Sequence, residues 1–145
     1  MKYTTNSEQE LINLGKKIAV NFKAGDIILL EGNLGAGKTT LTKGIAEYFG
    51  IKKNITSPTF SLMNVYEIKR FKDLKIKRLV HVDTYRLEDE EDLIEIGIED
   101  YLGAPDTICL IEWPEKIEGL LRRKKVIRIK IEHDGDGRKI MISDK

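Results

Sequence analysis

The sequence predicts an α/β fold with a mainly parallel sheet flanked by helices and a C-terminal antiparallel hairpin. Three observations lead to this class. A short apolar run precedes a glycine-rich loop, and an amphipathic segment follows that loop. Two later apolar runs each end at an acidic residue, and alternating apolar and polar residues close the chain. Strands that alternate with helical segments are typical of a parallel sheet between helical layers.

Length and composition narrow the possibilities further. The 145 residues suffice for about one buried core, so we expect a single domain over residues 1–145. Basic and acidic residues number 25 and 24, a balance that argues against a dedicated nucleic-acid binder. No apolar stretch approaches the ~18 residues of a membrane span, and the N-terminus is polar. We therefore expect a cytoplasmic protein without membrane attachment.

The first half of the chain reads as helix, strand, loop and helix. Ser7 and Glu10 have the spacing of a capping box, which predicts the start of an amphipathic helix. The apolar positions of that helix are Leu11, Leu14, Ile18 and Phe22. Residues 27–30 are continuously apolar, as in a strand buried on both faces of a parallel sheet. A second helix follows the glycine loop, with Leu41, Ile45, Tyr48 and Phe49 on one face and Gly50 as its stop.

The second half alternates in the same way. Residues 59–68 predict a strand with Phe60, Leu62 and Tyr66 on one face, and residues 79–82 and 107–111 predict two buried strands. Residues 87–102 are acidic at the start, which favours a helix N-terminus, and the apolar residues expected on its buried side are Leu93, Ile96 and Leu102. Isoleucines alternate with charged residues from Ile127 to Glu132, and Ile140 and Ile142 alternate further along the chain. This pattern predicts a hairpin that turns at residues 133–137.

The glycine loop carries the strongest functional signal. Residues 32–39 read G-N-L-G-A-G-K-T and match G-x-x-x-x-G-K-[ST] in full, between a strand and a helix as this motif requires. Its backbone N–H groups can surround phosphate where no side chains obstruct them, Lys38 adds a charge, and Thr39 offers a hydroxyl to Mg²⁺. These residues predict a P-loop NTPase fold that binds ATP and Mg²⁺. The residues of this segment expected to bind the nucleotide are Asn33, Leu34, Gly35, Ala36, Gly37, Lys38, Thr39 and Thr40.

Two strand-end acids are the candidates for metal binding and hydrolysis. Asp83 and Glu112 directly follow apolar strands, and open α/β sheets bind ligands at the carboxyl ends of their strands. We expect Mg²⁺ to be held by Thr39 together with Glu112 and Asp83, and catalysis to rest on Lys38 and the two acids. The roles of the two acids can be exchanged, and solvated strand-end carboxylates are the alternative. His81 shares a strand face with Asp83 and is either a core or a catalytic histidine.

Three other features remain open on the residues alone. The loop at residues 56–59, rigidified by proline, is either structural or a switch loop sensing the terminal phosphate, and Thr59 is its candidate contact. Trp113 either stacks on a base or fills the core. Residues 68–78 are basic and form either a solvated hairpin tip or a contact with a partner or tRNA.

Four segments occur together in one known family. They are the P-loop, S-P-T-F at residues 57–60, H-V-D-T-Y-R-L at 81–87 and I-E-W-P at 111–114. The chain resembles the TsaE family, also called YjeE, over nearly its whole length. One departure is the family's common N-E-Y after the S-P-T-F strand, which here reads Asn64-Val65-Tyr66. A function of that glutamate in relatives would be absent at this position.

The resemblance implies more than the spacing does. Members bind ATP and hydrolyse it slowly, and they act in bacterial tRNA threonylcarbamoyladenosine synthesis with TsaD and TsaB. The resemblance implies that hydrolysis resets that complex and that tRNA is reached indirectly, through the complex. By position, Thr59 falls in a first switch-like loop, Asp83 in a second, and Trp113 matches the tryptophan that follows the acid Glu112.

Other functions are compatible with a P-loop. A small-molecule or nucleotide kinase needs an acceptor pocket and a basic lid, and residues 122–125 are the one candidate lid patch. A GTPase is disfavoured because no N-K-x-D motif occurs. A nucleotide-binding scaffold without hydrolysis is opposed by the two strand-end acids.

Overall fold

A computed structural model of the chain describes residues 1–52, 55, 62–69 and 75–144. Its strands are β1 (Lys2–Thr5), β2 (Ile27–Glu31), β3 (Met63–Glu67), β4 (Arg78–Asp83), β5 (Thr107–Glu112), β6 (Ile127–Asp134) and β7 (Gly137–Asp144). Its α-helices are α1 (Glu8–Ala19), α2 (Lys38–Tyr48), α3 (Glu90–Glu95) and α4 (Glu118–Leu121), and 3₁₀ turns cover Ile98–Asp100 and Pro114–Ile117. None of these helices is long and apolar enough to cross a membrane.

All strands of the described residues join one sheet in the order β1-β7-β6-β2-β5-β4-β3. The central neighbours β6, β2, β5 and β4 pair in parallel. The outer pairings β1–β7, β6–β7 and β3–β4 are antiparallel. The α/β class is therefore confirmed, and the sheet is mixed, with a parallel centre and antiparallel pairings at both edges. The sequence pattern missed β1 because its four residues are short and largely polar, and their pairing with β7 is what orders them.

The central strands bury both faces, as their continuous apolar runs predict. Ile28 and Leu30 pack into a cluster that includes the inner faces of α1 and α2. Ile27 and Leu29 pack into a second cluster on the opposite face, together with Cys109 of β5. Burial raises the pKa of the Cys109 thiol to about 12, so this residue is a core side chain with little thiolate character.

Helix α1 begins with the capping box that the sequence predicts. The Ser7 Oγ accepts a hydrogen bond from the Glu10 N–H at 3.1 Å, and the Glu10 carboxylate accepts one from the Asn6 N–H at 3.2 Å. The helix ends at Ala19, although Phe22 beyond it is buried as expected.

Helices α1 and α2 approach each other through two glycines. A Cβ atom on Gly15 would lie 2.5 Å from the carbonyl oxygen of Leu41, and one on Gly44 would lie 2.0 Å from that of Ile12. Such distances are far below van der Waals contact, so the helices can be this close only without side chains at these positions. Because α2 begins at Lys38, its contact with α1 also sets the direction of the helix that follows the glycine loop.

The expected helix over residues 87–102 is divided. Gly97 has a φ of 91°, a left-handed conformation that ends the helix and starts the 3₁₀ turn over Ile98–Asp100. The register shifts at this point, so Ile98 is buried in place of Ile96, which is 43 % exposed. The prediction was thus correct for Leu93 and Leu102 and wrong for Ile96.

Three further boundaries differ from expectation. The strand expected over residues 59–68 is β3 within the described residues, while Phe60 lies outside them. In the basic segment 68–78, residues 70–74 also lie outside, and Arg78 belongs to β4, where its guanidinium bonds the Asp106 carboxylate at 2.8 Å. The terminal hairpin turns at residues 135–136, so His133 belongs to β6 and not to the turn.

Replacing Gly44 by alanine tests the helix contact. We expect Gly44→Ala to lower the free energy of unfolding by about 3 kcal/mol, because the new methyl group meets backbone that cannot move without shifting α1. Gly119→Ala is the matched control, since a Cβ there meets only the flexible Glu90 side chain, and we expect a change within about 1 kcal/mol. Urea denaturation measures both. Equal stability of the two variants would contradict the close contact.

Candidate functional site

The parallel register brings the loop and both acids to one edge of the sheet. Leu30 of β2 lies opposite Glu112 of β5, and Glu112 lies opposite Asp83 of β4. Each acid is the last residue of its strand, and the glycine loop begins directly after Glu31, where β2 ends. The expectation that Asp83 and Glu112 lie together beside the loop is confirmed by this geometry.

Two glycines of the loop lie so close to neighbouring atoms that a side chain at either position would collide with them. A Cβ on Gly32 would lie 2.6 Å from the carbonyl oxygen of Ile131, and one on Gly37 would lie 2.6 Å from Cδ2 of Leu11. Gly37 also has a φ of 113° and forms the N-cap of α2 without a side-chain cap. The first N–H groups of α2 therefore donate no hydrogen bond to a capping side chain, which leaves a helix N-terminus suited to an anion.

Lys38 lies within the site and not in solvent. Its Nζ donates a hydrogen bond to the Gly32 carbonyl at 2.7 Å and lies 3.4 Å from the centre of the Trp113 ring. The lysine is only 6 % exposed, and its burial lowers the pKa of the ammonium, although the carboxylates of Glu112 and Asp83 oppose this shift. The cation is thus held by a carbonyl and an aromatic face at a place where charge is costly.

Glu112 is buried against a histidine. The His81 Nε2 and the Glu112 Oε2 are 2.6 Å apart, with side-chain exposures of 0 % and 3 %. The His81 Nδ1 is buried and has no hydrogen-bond partner among the described residues. Of the two interpretations of His81, the structure shows the core position. The contact of His81 with Glu112 nevertheless fixes one oxygen of the Glu112 carboxylate.

The segments that follow β4 and β5 are tied together. The Thr84 hydroxyl donates to the carbonyls of Glu112 and Trp113, and the Lys116 ammonium donates to the carbonyl of Tyr85. The rings of Tyr85 and Trp113 lie with centres 5.0 Å apart. Trp113 is half-buried and has a φ of 60°, so it packs between Lys38 and Tyr85 and does not fill the core.

These side chains enclose a cavity of about 280 Å³. Its lining residues are Leu34, Gly35, Gly37, Lys38, Thr39, Thr40, Asp83, Tyr85, Glu112 and Trp113. Most of the expected nucleotide-binding residues are therefore brought together here. Asn33 and Ala36 do not line this cavity; the Ala36 N–H instead bonds the Asn33 carbonyl at 3.0 Å and shapes the loop. Thr59 lies outside the described residues, and Tyr85 lines the cavity without having been expected.

The oxygen donors suit Mg²⁺ bound together with phosphate. The described residues contain no cluster of three or more His, Cys, Asp or Glu side chains able to hold a metal by themselves. Mg²⁺ commonly takes one or two carboxylates and completes its shell with waters and substrate phosphates. Thr39, Asp83 and Glu112 line the same cavity, and their oxygens fit that arrangement.

An arginine from the terminal hairpin supports the loop from behind. The Arg138 Nε donates to the Ala36 carbonyl at 2.8 Å, and its Nη2 donates to the Gly35 carbonyl at 3.4 Å. In a trans peptide the N–H points away from the carbonyl. The bond to Ala36 therefore fixes the direction of the Gly37 N–H. No local motif reveals this residue, because it is about 100 positions away in the sequence.

Arg138→Met tests that support, since it removes the donors and keeps most of the aliphatic side chain. We expect faster amide hydrogen exchange at residues 35–38, by about tenfold, because the loop peptides lose their external bonds. Lys139→Met is the control on the same strand, and we expect unchanged exchange in the loop. Hydrogen-exchange mass spectrometry compares the two, and identical loop protection in both variants would contradict the role of Arg138.

Comparison with known proteins identifies the family of this chain. The family model described as threonylcarbamoyl adenosine biosynthesis protein TsaE matches residues 5–140. The tRNA threonylcarbamoyladenosine biosynthesis protein TsaE of Bacillus subtilis is 39 % identical over 136 residues, covering 94 % of this chain and 80 % of that protein. The protein of the same name from Haemophilus influenzae is 38 % identical over 138 residues, covering 92 % and 82 %.

A solved structure has a similar fold. The crystal structure of Bacillus subtilis YdiB superposes with a TM-score of 0.79 at 32 % identity, covering 99 % of this chain and 84 % of that one. The family model over residues 5–140 and these relatives together show that the chain belongs to the TsaE family.

Proposed function

We propose that this protein binds ATP with Mg²⁺ and hydrolyses it slowly, as a nucleotide-driven switch in tRNA threonylcarbamoyladenosine biosynthesis. The observation that supports this most strongly is the meeting of Lys38, Asp83 and Glu112 around one cavity beside a bare glycine loop. The pathway comes from the family and from the names of its relatives. The proposal includes a cytoplasmic location and one ATPase domain over residues 1–145.

Phosphate binding falls to the loop and to Lys38. The N–H groups at the start of α2 and the ammonium provide positive charge for the β- and γ-phosphates. To reach them, Lys38 exchanges its bond to the Gly32 carbonyl and its contact with Trp113 for phosphate oxygens. Burying the Lys38 ammonium costs free energy, and a bound phosphate offsets that cost because its negative charge pairs with the ammonium. Mg²⁺, held by Thr39 with Glu112 and Asp83, would neutralise part of the phosphate charge.

The two acids differ in environment, and we therefore propose different roles for them in metal binding and hydrolysis. Glu112 is buried, and His81 holds one of its oxygens, so the other is left for the metal shell or for water. Asp83 is half-buried, and its Oδ1 accepts a hydrogen bond from the Tyr85 N–H at 2.9 Å. We assign Glu112 to the metal and Asp83 to the metal or the attacking water. The two assignments can be exchanged without altering the rest of the proposal.

We propose the mouth of the cavity as the surface that meets partner proteins. Leu34 and Tyr85 line it and are 64 % and 46 % exposed, so apolar surface borders the proposed ATP site. A protein seated there would sense the nucleotide directly. Following the family, we propose TsaD and TsaB as these partners, with tRNA reached through them.

A kinase is the alternative function. Arg122 and Lys124 of the basic patch line a separate cavity of about 390 Å³ that shares no lining residue with the cavity beside the P-loop. The patch therefore does not cover the phosphates as a lid would. This observation favours the switch over transfer to a small acceptor.

Turnover with and without partners tests the proposal. We expect slow ATP hydrolysis by the protein alone and a changed rate with TsaD and TsaB.

We also expect Lys38→Ala to lower ATP affinity at least tenfold, because this substitution removes the one buried cation among the described residues of the cavity. Lys43→Ala, on the exposed side of α2, is the control with unchanged affinity. Efficient phosphorylation of a small acceptor without partners would contradict the switch.

The acids are tested separately from binding. We expect Asp83→Asn and Glu112→Gln each to reduce turnover by about 100-fold while ATP affinity changes less, because each keeps its shape and loses its charge. Calorimetry and phosphate release measure the two quantities on the same samples. Normal turnover in either variant would remove that residue from the hydrolytic site.

A further inference from the structure

A histidine lies inside the sheet, next to the proposed ATP site. His81 is on β4 and is fully buried, and its neighbours Val80 and Val82 on this strand are buried apolar residues. Alternate residues of a strand share a face, so His81 is on the same face of β4 as Leu79 and Asp83. A polar ring therefore occupies a position in the interior of a strand that is otherwise largely apolar.

The contacts of the imidazole show which of its nitrogens carries a proton. The His81 Nε2 lies 2.6 Å from the Glu112 Oε2, and an ionised carboxylate only accepts hydrogen bonds. With a proton on Nδ1 alone, two lone pairs would face each other at this distance. The Nδ1 is buried without a partner among the described residues, and a protein interior tolerates an unpaired acceptor better than an unpaired N–H. We therefore assign the proton to Nε2, which donates to Glu112.

Stability does not account for this histidine. Its Nδ1 receives no hydrogen bond within the described part of the chain, and burying an unpaired polar atom costs free energy. Buried polar pairs can often be replaced by apolar side chains of similar volume without loss of stability. An apolar residue such as Leu79, which is buried on the same face, would leave no unpaired atom. The contact with Glu112 explains the histidine better than packing does.

That contact acts on the orientation of the Glu112 carboxylate. Glu112 lines the cavity beside the P-loop although it is only 3 % exposed, whereas His81 does not line this cavity. In the parallel register His81 lies opposite Leu110, two residues before Glu112, so both ends of the contact are on paired strands. Side chains held by hydrogen bonds on such rigid elements keep a productive geometry more closely than side chains on loops.

We infer that His81 is a positioning residue for ATP hydrolysis, whose Nε2–H holds one oxygen of Glu112 so that the other faces the metal or the attacking water. The inference rests on the proposed function. It goes beyond that function by assigning a role to a residue outside the cavity. His81 acts through Glu112, so its replacement has no further effect on turnover once the Glu112 carboxylate is gone.

A double-mutant cycle tests whether His81 acts through Glu112. Turnover and ATP affinity with Mg²⁺ are measured for His81→Leu, Glu112→Gln and the double variant. We expect His81→Leu to reduce turnover about 30-fold and ATP affinity by less than about threefold, because partners of metal-binding side chains typically contribute about 10–100-fold. The double variant should have the turnover of Glu112→Gln alone. Losses that multiply in the double variant would overturn the inference, because they indicate a general structural effect.

Two further variants separate positioning from packing. His81→Gln returns an N–H donor at about the place of Nε2, and we expect its turnover to be about tenfold above that of His81→Leu. Leu79→Val is the packing control, because this apolar side chain is buried on the same face of β4 and cannot bond Glu112. It should be less stable in urea and hydrolyse ATP as the wild type does. A glutamine variant no more active than His81→Leu, or a control as inactive as His81→Leu, would overturn the inference.

A measurement on the unaltered protein depends neither on hydrolysis nor on the folding of a variant. Long-range ¹H–¹⁵N NMR shows which ring nitrogen of His81 carries a proton, and His133→Gln identifies the signals of the other histidine. We expect a proton on Nε2 that exchanges slowly with solvent, because the ring is fully buried. A proton on Nδ1 alone would overturn the inference. A wild type without ATP hydrolysis would instead refute the proposed function, and the position of the proton then still shows whether His81 donates to Glu112.

Discussion

The glycine loop passes so close to its neighbours that a side chain at two of its glycines would collide with them. Gly32 is against the backbone of β6 at Ile131, and Gly37 is against Leu11 of α1. Gly15 and Gly44 bring α1 equally close to α2, the helix that the loop begins. The bare backbone that can surround an anion thus depends on tight packing against α1 and the terminal hairpin. These elements lie far apart in the sequence, so the site exists only in the folded chain.

The site also requires parallel pairing of the central strands. Because β2, β5 and β4 run in the same direction, their carboxyl ends meet, and Glu112 and Asp83 lie beside the loop. The two acids and the Lys38 ammonium carry opposite charges around the same cavity. Burial lowers the pKa of Lys38, and the two carboxylates act in the opposite direction. Hydrogen bonds from Thr84 to the segment after β5 keep the two strand ends together.

The sequence predicted the features that depend on local pattern. The P-loop, the central strands, the capping box at Ser7 and the positions of both acids follow from spacing and periodicity, and the structure has them. The features that the sequence did not predict depend on pairing between distant segments or on one backbone angle. β1 is ordered by β7, the break at Gly97 buries Ile98 in place of Ile96, and Arg138 reaches the loop from the terminal hairpin. The role expected for Thr59 stays a prediction, because this residue lies outside the described part of the chain.

The most direct test of the account uses the one tryptophan of the chain, Trp113, as a reporter. The Lys38 Nζ lies 3.4 Å from the centre of its ring, and phosphate is proposed to draw that ammonium away. The measurement is Trp113 fluorescence during titration with ATP and Mg²⁺. The account predicts a saturable change that a Lys38→Ala variant does not show. Unchanged emission at millimolar ATP, or the same change in the variant, would contradict it.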